Sequence, residues 1–270
     1  MALVGFDVGG TNMRVASVAS DGIGEVFKIP TPIEPLEAVQ KLTALIRKSA
    51  RDTLEAVAGG FPGVVGKDAL YRAPNLPHWA NFGFEEELRA TLGTPVEIRN
   101  DADLAGLGEA VYGAGRDASI VAYFGIGTGV GTARIVNGNI DSGAYDFEAG
   151  HQIVDARTCA SLESLVSGGA FQKRFGVHPK DAPRAGYEEM TPILASGIYN
   201  AILHWSPVRV VLGGSMMNED NGYRLNDIKT ALDRLPRIYP ELPEIQIAHF
   251  KDEAGLQGAR ATLTKEKRLA

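Results

Sequence analysis

Phe6-Asp7-Val8-Gly9-Gly10-Thr11-Asn12-Met13-Arg14 is the stretch from which the rest of the chain is read. An apolar start, Ala2 to Val4, precedes it, and a second apolar run, Val15 to Ala19, follows. Two strands joined by so short a loop form a hairpin, and the paired glycines supply its turn. Asp7 ends the first strand facing that turn. Glycines without side chains let backbone N–H groups approach an anion, and Thr11 and Asn12 can add hydrogen bonds. A carboxylate beside phosphates suits a hydrated Mg²⁺. The same residues also describe an ordinary tight turn, so the remainder of the chain decides.

The 270 residues are 44% hydrophobic and 22% charged, a globular balance with chain enough for one large domain or two smaller ones. A formal net charge of −6 and the lack of a basic tract argue against a nucleic-acid or anionic-membrane partner. The single cysteine, Cys159, permits no intrachain disulfide and fits a reducing compartment. No apolar run reaches membrane-spanning length and the N-terminus enters a strand directly, so a cytoplasmic location is expected.

Outward from the hairpin, 25–30 reads as a third strand. Leu36, Val39, Leu42, Leu45 and Ile46 recur at helical spacing and predict an amphipathic helix over 36–51. A buried strand over 54–60 runs into Gly59-Gly60-Phe61-Pro62-Gly63, a polar loop carries Asn75-Leu76-Pro77-His78-Trp79, and a helix spans 84–92. The short strand 95–99 delivers Asn100-Asp101, and the Ala-rich helix 102–112 ends at Gly113. Beyond Gly113-Ala114-Gly115 the plan repeats: strand 119–124, the glycine turn Gly125-Ile126-Gly127-Thr128-Gly129-Val130-Gly131, strand 132–136, helix 187–206, and strand 208–212 ending in Gly213-Gly214. A helix over 223–235, a strand over 244–248 and a terminal helix over 253–267 complete the chain. Phe6-Asp7-Val8-Gly9 aligns with Phe124-Gly125-Ile126-Gly127, which predicts duplicated α/β domains facing each other across a cleft with a glycine turn on each wall.

Asp7-x-Gly9-Gly10-Thr11, Gly60-Phe61-Pro62-Gly63, Asn75-Leu76-Pro77, Asn100-Asp101-Ala102, Gly127-Thr128-Gly129, Glu148-x-Gly150-His151 and Gly213-Gly214 follow one another in an order that resembles the ROK family of sugar kinases and related repressors. The likeness extends to Ala254-Gly255-Leu256-Gln257-Gly258-Ala259. It implies an α/β fold of two ribonuclease-H-like domains, as in actin-like ATPases. The expected division is 1–115, joined by the C-terminal helix 252–270, as sugar and phosphate domain, and 116–251 as nucleotide-binding and dimerisation domain. ROK repressors carry an N-terminal winged-helix domain. Here the first motif begins at Asp7, so the kinase form is expected.

The resemblance implies transfer of the γ-phosphoryl group of ATP to the 6-hydroxyl of a hexose, glucose first, then N-acetylglucosamine or N-acetylmannosamine. The rival of another class is a non-catalytic sugar-sensing protein. A sugar hydroxyl needs a base within reach of its proton, and by resemblance Asp101 is that base; its bland alternative is a helix N-cap. Gly60, Asn75, Asn100, Glu148, His151 and Glu163 join Asp101 as implied sugar contacts. Asn100 is alternatively a turn residue, and Glu163 an exposed acid in a helix's first turn. Asp7, Gly9, Gly10, Thr11, Asn12 and Arg14 are implied on one side of the nucleotide, with Asp7 holding Mg²⁺ through water. Gly127, Thr128 and Gly129 are implied on the other, with Gly213 and Gly214 against the adenosine. Arg14 is alternatively a solvated strand charge. Many relatives bind structural zinc through that histidine and three cysteines. Here only Cys159 remains in the shortened segment after His151, so no zinc site is expected. The implied partners are a small sugar, with neither nucleic acid nor membrane, and a homodimer is compatible with the family.

Overall fold

The computed structural model of the chain describes residues 1–66, 70–72 and 76–265. In order, its first half consists of β1 (Ala2–Val8), β2 (Asn12–Ala19), β3 (Gly22–Ile23), β4 (Phe27–Pro30), α1 (Pro35–Ala50), β5 (Leu54–Phe61), β6 (Val64–Val65), β7 (Leu70–Arg72), α2 (Phe84–Leu92), β8 (Val96–Asn100) and α3 (Asp101–Tyr112). β1 and β2 form the antiparallel hairpin, with Asp7 opposite Arg14 and Val8 opposite Met13. β5 pairs in parallel with β1, and β8 with β5, giving the order β3-β2-β1-β5-β8 with β4 also on β2.

The second half consists of β9 (Ile120–Ile126), β10 (Val130–Val136), β11 (Asn139–Ile140), β12 (Ile153–Asp155), β13 (Ala160–Ser161), α4 (Leu162–Val166), α5 (Gly168–Phe175), α6 (Arg184–Trp205), β14 (Arg209–Gly213), α7 (Leu225–Asp233), β15 (Glu244–Ile247) and α8 (Ala254–Leu263). Its main sheet has the order β11-β10-β9-β14-β15, again a hairpin followed by two parallel strands. The repetition holds to the register: Asp7 lies beside Gly60 across β1 and β5, as Gly125 lies beside Gly213 across β9 and β14. Asn137 and Gly138 both have positive φ, 50° and 69°, the backbone of a tight hairpin turn between β10 and β11.

Each sheet is covered by its own helices. Pro35 starts α1 with φ already fixed, and Arg51 ends it in the left-handed region. Val39, Leu42 and Ile46 on its inner face are buried, each contributing roughly 1.5–3 kcal/mol. Phe61, Trp79 and Phe84 stack with centroids 4.6 Å (Phe61–Phe84) and 4.7 Å (Trp79–Phe84) apart, and Trp79 Nε1 donates to Ile33 O at 2.9 Å. In the second sheet Val210, Val211 and Leu212 have no accessible surface, as a central parallel strand covered on both faces requires.

α3 and α8 stand between the sheets, α8 against β1 and β5, α3 against β9 and β10. They cross in backbone contact, because a Cβ on Gly258 would overlap Leu104 O and one on Gly108 would overlap Ala254 O. The result is the actin-like arrangement of two domains across a cleft, with the C-terminal ends of β1, β5, β8, β9 and β14 directed to the region where open α/β sheets bind ligands.

Candidate active site

The first glycine turn is closed by Gly9 N–H donating to Asn12 O at 2.9 Å. Thr31, just after β4, occupies its carbonyls: the Thr31 N–H donates to Thr11 O at 2.9 Å and its hydroxyl to Gly9 O at 2.7 Å. The N–H groups of Gly10 and Thr11 have no acceptor among the described residues. The second turn is closed by Gly127 N–H to Gly129 O at 2.9 Å. Here the start of α5 takes the carbonyls, Gly168 N–H donating to Gly127 O at 2.7 Å and Gly169 N–H to Thr128 O at 3.0 Å. Thr128 and Gly129 keep their N–H groups unpartnered among the described residues. The carbonyls of Gly9 and Thr11 in the first turn and of Gly127, Thr128 and Gly129 in the second are therefore engaged, while each turn keeps two consecutive N–H groups free among the described residues, which is what an anion-binding backbone offers. Gly213 and Gly214, the latter at φ 90°, are held against the end of β9 by Met216 N–H donating to Ile126 O at 3.0 Å.

Asp7 and Asp101 stand on either side of Gly60. Asp7 is in register with Gly60, and a Cβ there would stand 3.0 Å from Asp101 Cα, so the bare backbone lets α3 begin beside β5. Asn100, not Asp101, is the helix cap. Its Oδ1 accepts from Ala102 N–H at 2.7 Å and Asp103 N–H at 3.1 Å, while its Nδ2 donates to Gly63 O at 2.8 Å. That leaves Asn100 one free amide hydrogen. Asp101 accepts from Ala102 N–H at 2.9 Å and from its own backbone N–H, and its carboxylate makes no bond to another side chain among the described residues. Burial first, then the charges of Asp7 and Glu148, push the Asp101 carboxyl up to about 7 against the pull of Ala102 N–H.

Asp7 is pushed up to about 6, by burial and by Asp252, against the lowering effect of Arg14. Arg14 is not a solvated strand charge: only 15% of its side chain is exposed, and it lies 3.5 Å from Asp7 Oδ2 and 2.9 Å from Asp252 Oδ2. One cation thus serves two carboxylates. The excess negative charge at Asp7, beside free N–H groups, fits a divalent cation carrying phosphates.

On the opposite side, Glu148 and His151 occupy a short turn over Ala149–His151 that is fixed to β10. Thr132, 3% exposed, donates its hydroxyl to Phe147 O at 2.6 Å and accepts from Ala149 N–H at 2.9 Å, gripping the peptides on both sides of Glu148. A Cβ on Gly150 would overlap Val130 O, so the turn lies flat on the strand. Gln152 fastens the other end, donating to Ala149 O at 2.8 Å and Gly197 O at 3.1 Å and accepting from Asn200 Nδ2 at 2.8 Å. Burial, Asp146 and Glu163 raise the Glu148 carboxyl, and His151, whose Nε2 is 4.0 Å away, lowers it. Glu163 lies in the first turn of α4 with its Oε2 accepting from Val130 N–H at 2.8 Å, so it ties α4 to the second glycine turn while remaining within the field of Glu148.

Asp7, Asp101, Glu148, His151 and Glu163 are thus neighbours in one chain of charge coupling between the two glycine turns. Asn75 lies outside the described residues. Thr11 is exposed, and the half-buried Asn12 side chain makes no hydrogen bond among the described residues. Sequence reading missed Thr31, Thr132 and Gln152, whose work is done from other strands and loops, and it missed Asp103. That residue is 3% exposed and is raised by burial and by the charge of Asp146, with which it shares a hydrogen bond. Two extra acids at Asp103 and Asp146, each two positions from an implied site residue, were the available signal. Among the described residues no group of three or more His, Cys, Asp or Glu side chains is arranged to hold a metal ion, and no helix is long and apolar enough to cross a membrane.

Two mirrored sheets, a glycine turn on each wall and a raised carboxylate between them define a two-domain protein of the actin-like ATPase fold. The ROK family profile matches residues 3–267, and the chain belongs to that family. A glucokinase of Streptomyces coelicolor is 33% identical over 97% of this chain and 97% of its own. A fructokinase of Pediococcus pentosaceus is 27% identical over 81% of this chain and 82% of its own. Among solved structures, a ROK family glucokinase from Streptomyces griseus, in complex with glucose and AMPPNP, superposes with a TM-score of 0.82. It is 24% identical and covers 98% of this chain and 100% of its own.

Proposed function

We propose that this protein is an ATP-dependent sugar kinase that phosphorylates the 6-hydroxyl of a hexose, glucose first among them. The observation that carries the reading is the Asp101 carboxylate. It makes no bond to another side chain among the described residues, holds its proton up to about pH 7, and stands between two turns with free N–H groups. A base of that strength accepts the hydroxyl proton as the sugar oxygen attacks the γ-phosphorus and the bond to ADP breaks. Glu148, His151 and Glu163, with Gly60, Asn75 and Asn100, orient the sugar. Gly9, Gly10, Thr11, Asn12 and Arg14 hold the phosphates with Gly127, Thr128 and Gly129, and Gly213 and Gly214 lie along the adenosine. Asp7 would hold Mg²⁺ through water, and the ion, when bound, screens the charge of the transferred group. Zinc is left out of this reading because Cys159 is the single cysteine.

In the same reading residues 1–115 and the segment from Asp252 onward form the sugar and phosphate domain, and 116–251 the nucleotide and dimerisation domain. The names of the glucokinase and fructokinase relatives support a hexose and do not choose between them. The test is ADP release with a panel of glucose, fructose, mannose, N-acetylglucosamine and N-acetylmannosamine. Sugar-dependent ADP release supports the reading, and sugar binding without turnover overturns it.

A further inference from the structure

The chain passes between its two sheets twice, from α3 into β9 over 113–119 and from β15 into α8 over 248–253. Glu109, in the last turn of α3, has no accessible surface and holds both passages. Its Oε2 accepts from Ala114 N–H at 2.9 Å in the first, and its Oε1 from Phe250 N–H at 2.8 Å in the second. The passages touch there: a Cβ on Gly113 would stand 2.9 Å from the Phe250 ring and would overlap Glu109 Oε2. Each passage also carries a non-glycine residue in the left-handed region, Asp117 at φ 67° and Lys251 at φ 48°, so neither is a slack linker.

Burying an acid is costly unless its oxygens are hydrogen-bonded, and an apolar side chain would fill the same space. Two N–H groups converging from separate segments call for one group with two acceptor oxygens. Glutamate has them, whereas glutamine must turn a donor on one of the N–H groups. The second sheet takes the same joint from the outer side. Arg209 of β14 donates through Nη1 to Ala114 O at 3.0 Å and Arg116 O at 2.8 Å, and its Nη2 pairs with Glu244 of β15 at 2.7 Å. Ala114 is therefore held by its N–H from α3 and by its carbonyl from β14.

Each passage leads to one glycine turn. The first enters β9, which ends in the turn at Gly127-Thr128-Gly129. The second carries Asp252, two residues beyond Phe250, which accepts from Arg14 beside Asp7 and the turn at Gly9-Gly10. We propose that Glu109 is a positioning residue that sets the separation of the two turns, and with it the line of attack of the sugar oxygen on the γ-phosphorus. This rests on the kinase reading. Hydrogen bonds to a bound ligand form over a range of lengths, whereas misplacing the reacting atoms by about 1 Å can cost about a hundredfold in rate. Glu109 therefore acts on the chemical step more than on the binding of either substrate.

The test compares the whole protein with Glu109→Gln at a temperature where circular dichroism shows both folded. The readouts are kcat for ADP release with the best sugar of the panel, and calorimetric Kd for that sugar and for AMPPNP with Mg²⁺, each alone. Glutamine keeps the volume and one of the two bonds. The kcat should fall about ten- to a hundredfold while each Kd changes less than about threefold. Arg209→Gln frees the same joint from the outer side and should give the same split with a kcat loss of about threefold or more; it decides the matter if Glu109→Gln does not fold. An unchanged kcat, as a purely structural glutamate would give, or Kd values that rise in step with the fall in kcat, overturns the assignment and leaves the kinase reading standing. Unaltered protein that releases no ADP with any sugar of the panel overturns both.

Discussion

Replacing Asp101 by Asn should make the protein more stable at pH 8 while removing its activity. In the fold the Asp101 carboxyl moves from an ordinary value of 3.8 to about 7. The folded state therefore holds a proton that the unfolded chain has released between about pH 4 and 7. Stability that is present at low pH is lost as pH rises through this window. That displacement corresponds to about 4 kcal/mol when the group is fully ionised. Asp101 is partly open to the cleft, and solvent screening reduces this to about 2 kcal/mol. Asparagine keeps the oxygen that accepts from Ala102 N–H at 2.9 Å and carries no charge towards Asp7. For a chain of 270 residues about 2 kcal/mol is worth roughly 3–4 °C in melting temperature. Thermal unfolding of both proteins at pH 4, 6 and 8 should show the gap opening with pH. Sugar phosphorylation should fall at least about a hundredfold, the usual contribution of a base. A variant no more stable than the parent at pH 8, or equally stabilised at every pH, would falsify the electrostatic account of Asp101.

The same proton predicts that kcat/KM for the sugar declines about tenfold per pH unit below about 7; a profile flat down to pH 5 removes Asp101 as the base. Thr132→Val deletes both hydrogen bonds around Glu148 at nearly constant volume, and at about 1 kcal/mol each the sugar KM should rise roughly tenfold or more. The KM for ATP should stay constant and Thr132→Ser should restore the parent value; parallel changes in both KM values would mean general loosening. Arg14→Gln leaves Asp7 and Asp252 facing each other without a cation, so Asp7 should titrate higher still. The KM for Mg-ATP should increase, measurably more at pH 6 than at pH 8, and an unchanged value would show that Arg14 serves the fold alone.

Much of the architecture is written in local sequence. The glycine turns at Gly9-Gly10 and Gly127-Thr128-Gly129, the helix Phe84–Leu92 and the buried run Val210–Leu212 each announce themselves within a dozen residues, and the resemblance between Phe6–Gly9 and Phe124–Gly127 became a shared strand register. The long helix expected over 187–206 begins instead at Arg184, directly after Pro183. β6, β7, β12 and β13 are too short to show a period, and α4 and α5 are set off by caps at Ser161 and Ser167 rather than by long apolar stripes. In the site, a residue's neighbours decide its role, and these are distant in sequence. Arg14 bridges to Asp252, Thr132 holds Phe147 and Ala149, and the cap offered to Asp101 went to Asn100, whose amide reaches Gly63. No local pattern encodes such pairings, because they arise only when separate strands are brought to one edge.

The placement of α8 has a consequence for how the protein is made. This helix covers the face of β1 that carries Gly5, where a Cβ would be 3.0 Å from Ala259 Cβ, and Arg260 reaches Ala19 O at 2.9 Å. During synthesis β1 and β2 leave the ribosome before α8, with every element from β9 to β15 translated in between. The nascent chain carries one bare apolar sheet face through translation of the whole second domain. Chaperones that shield such surfaces should be needed most in that interval. A message cut short just before Ala254 would encode every residue proposed to touch sugar or nucleotide, yet release a polypeptide whose first sheet stays open on one side.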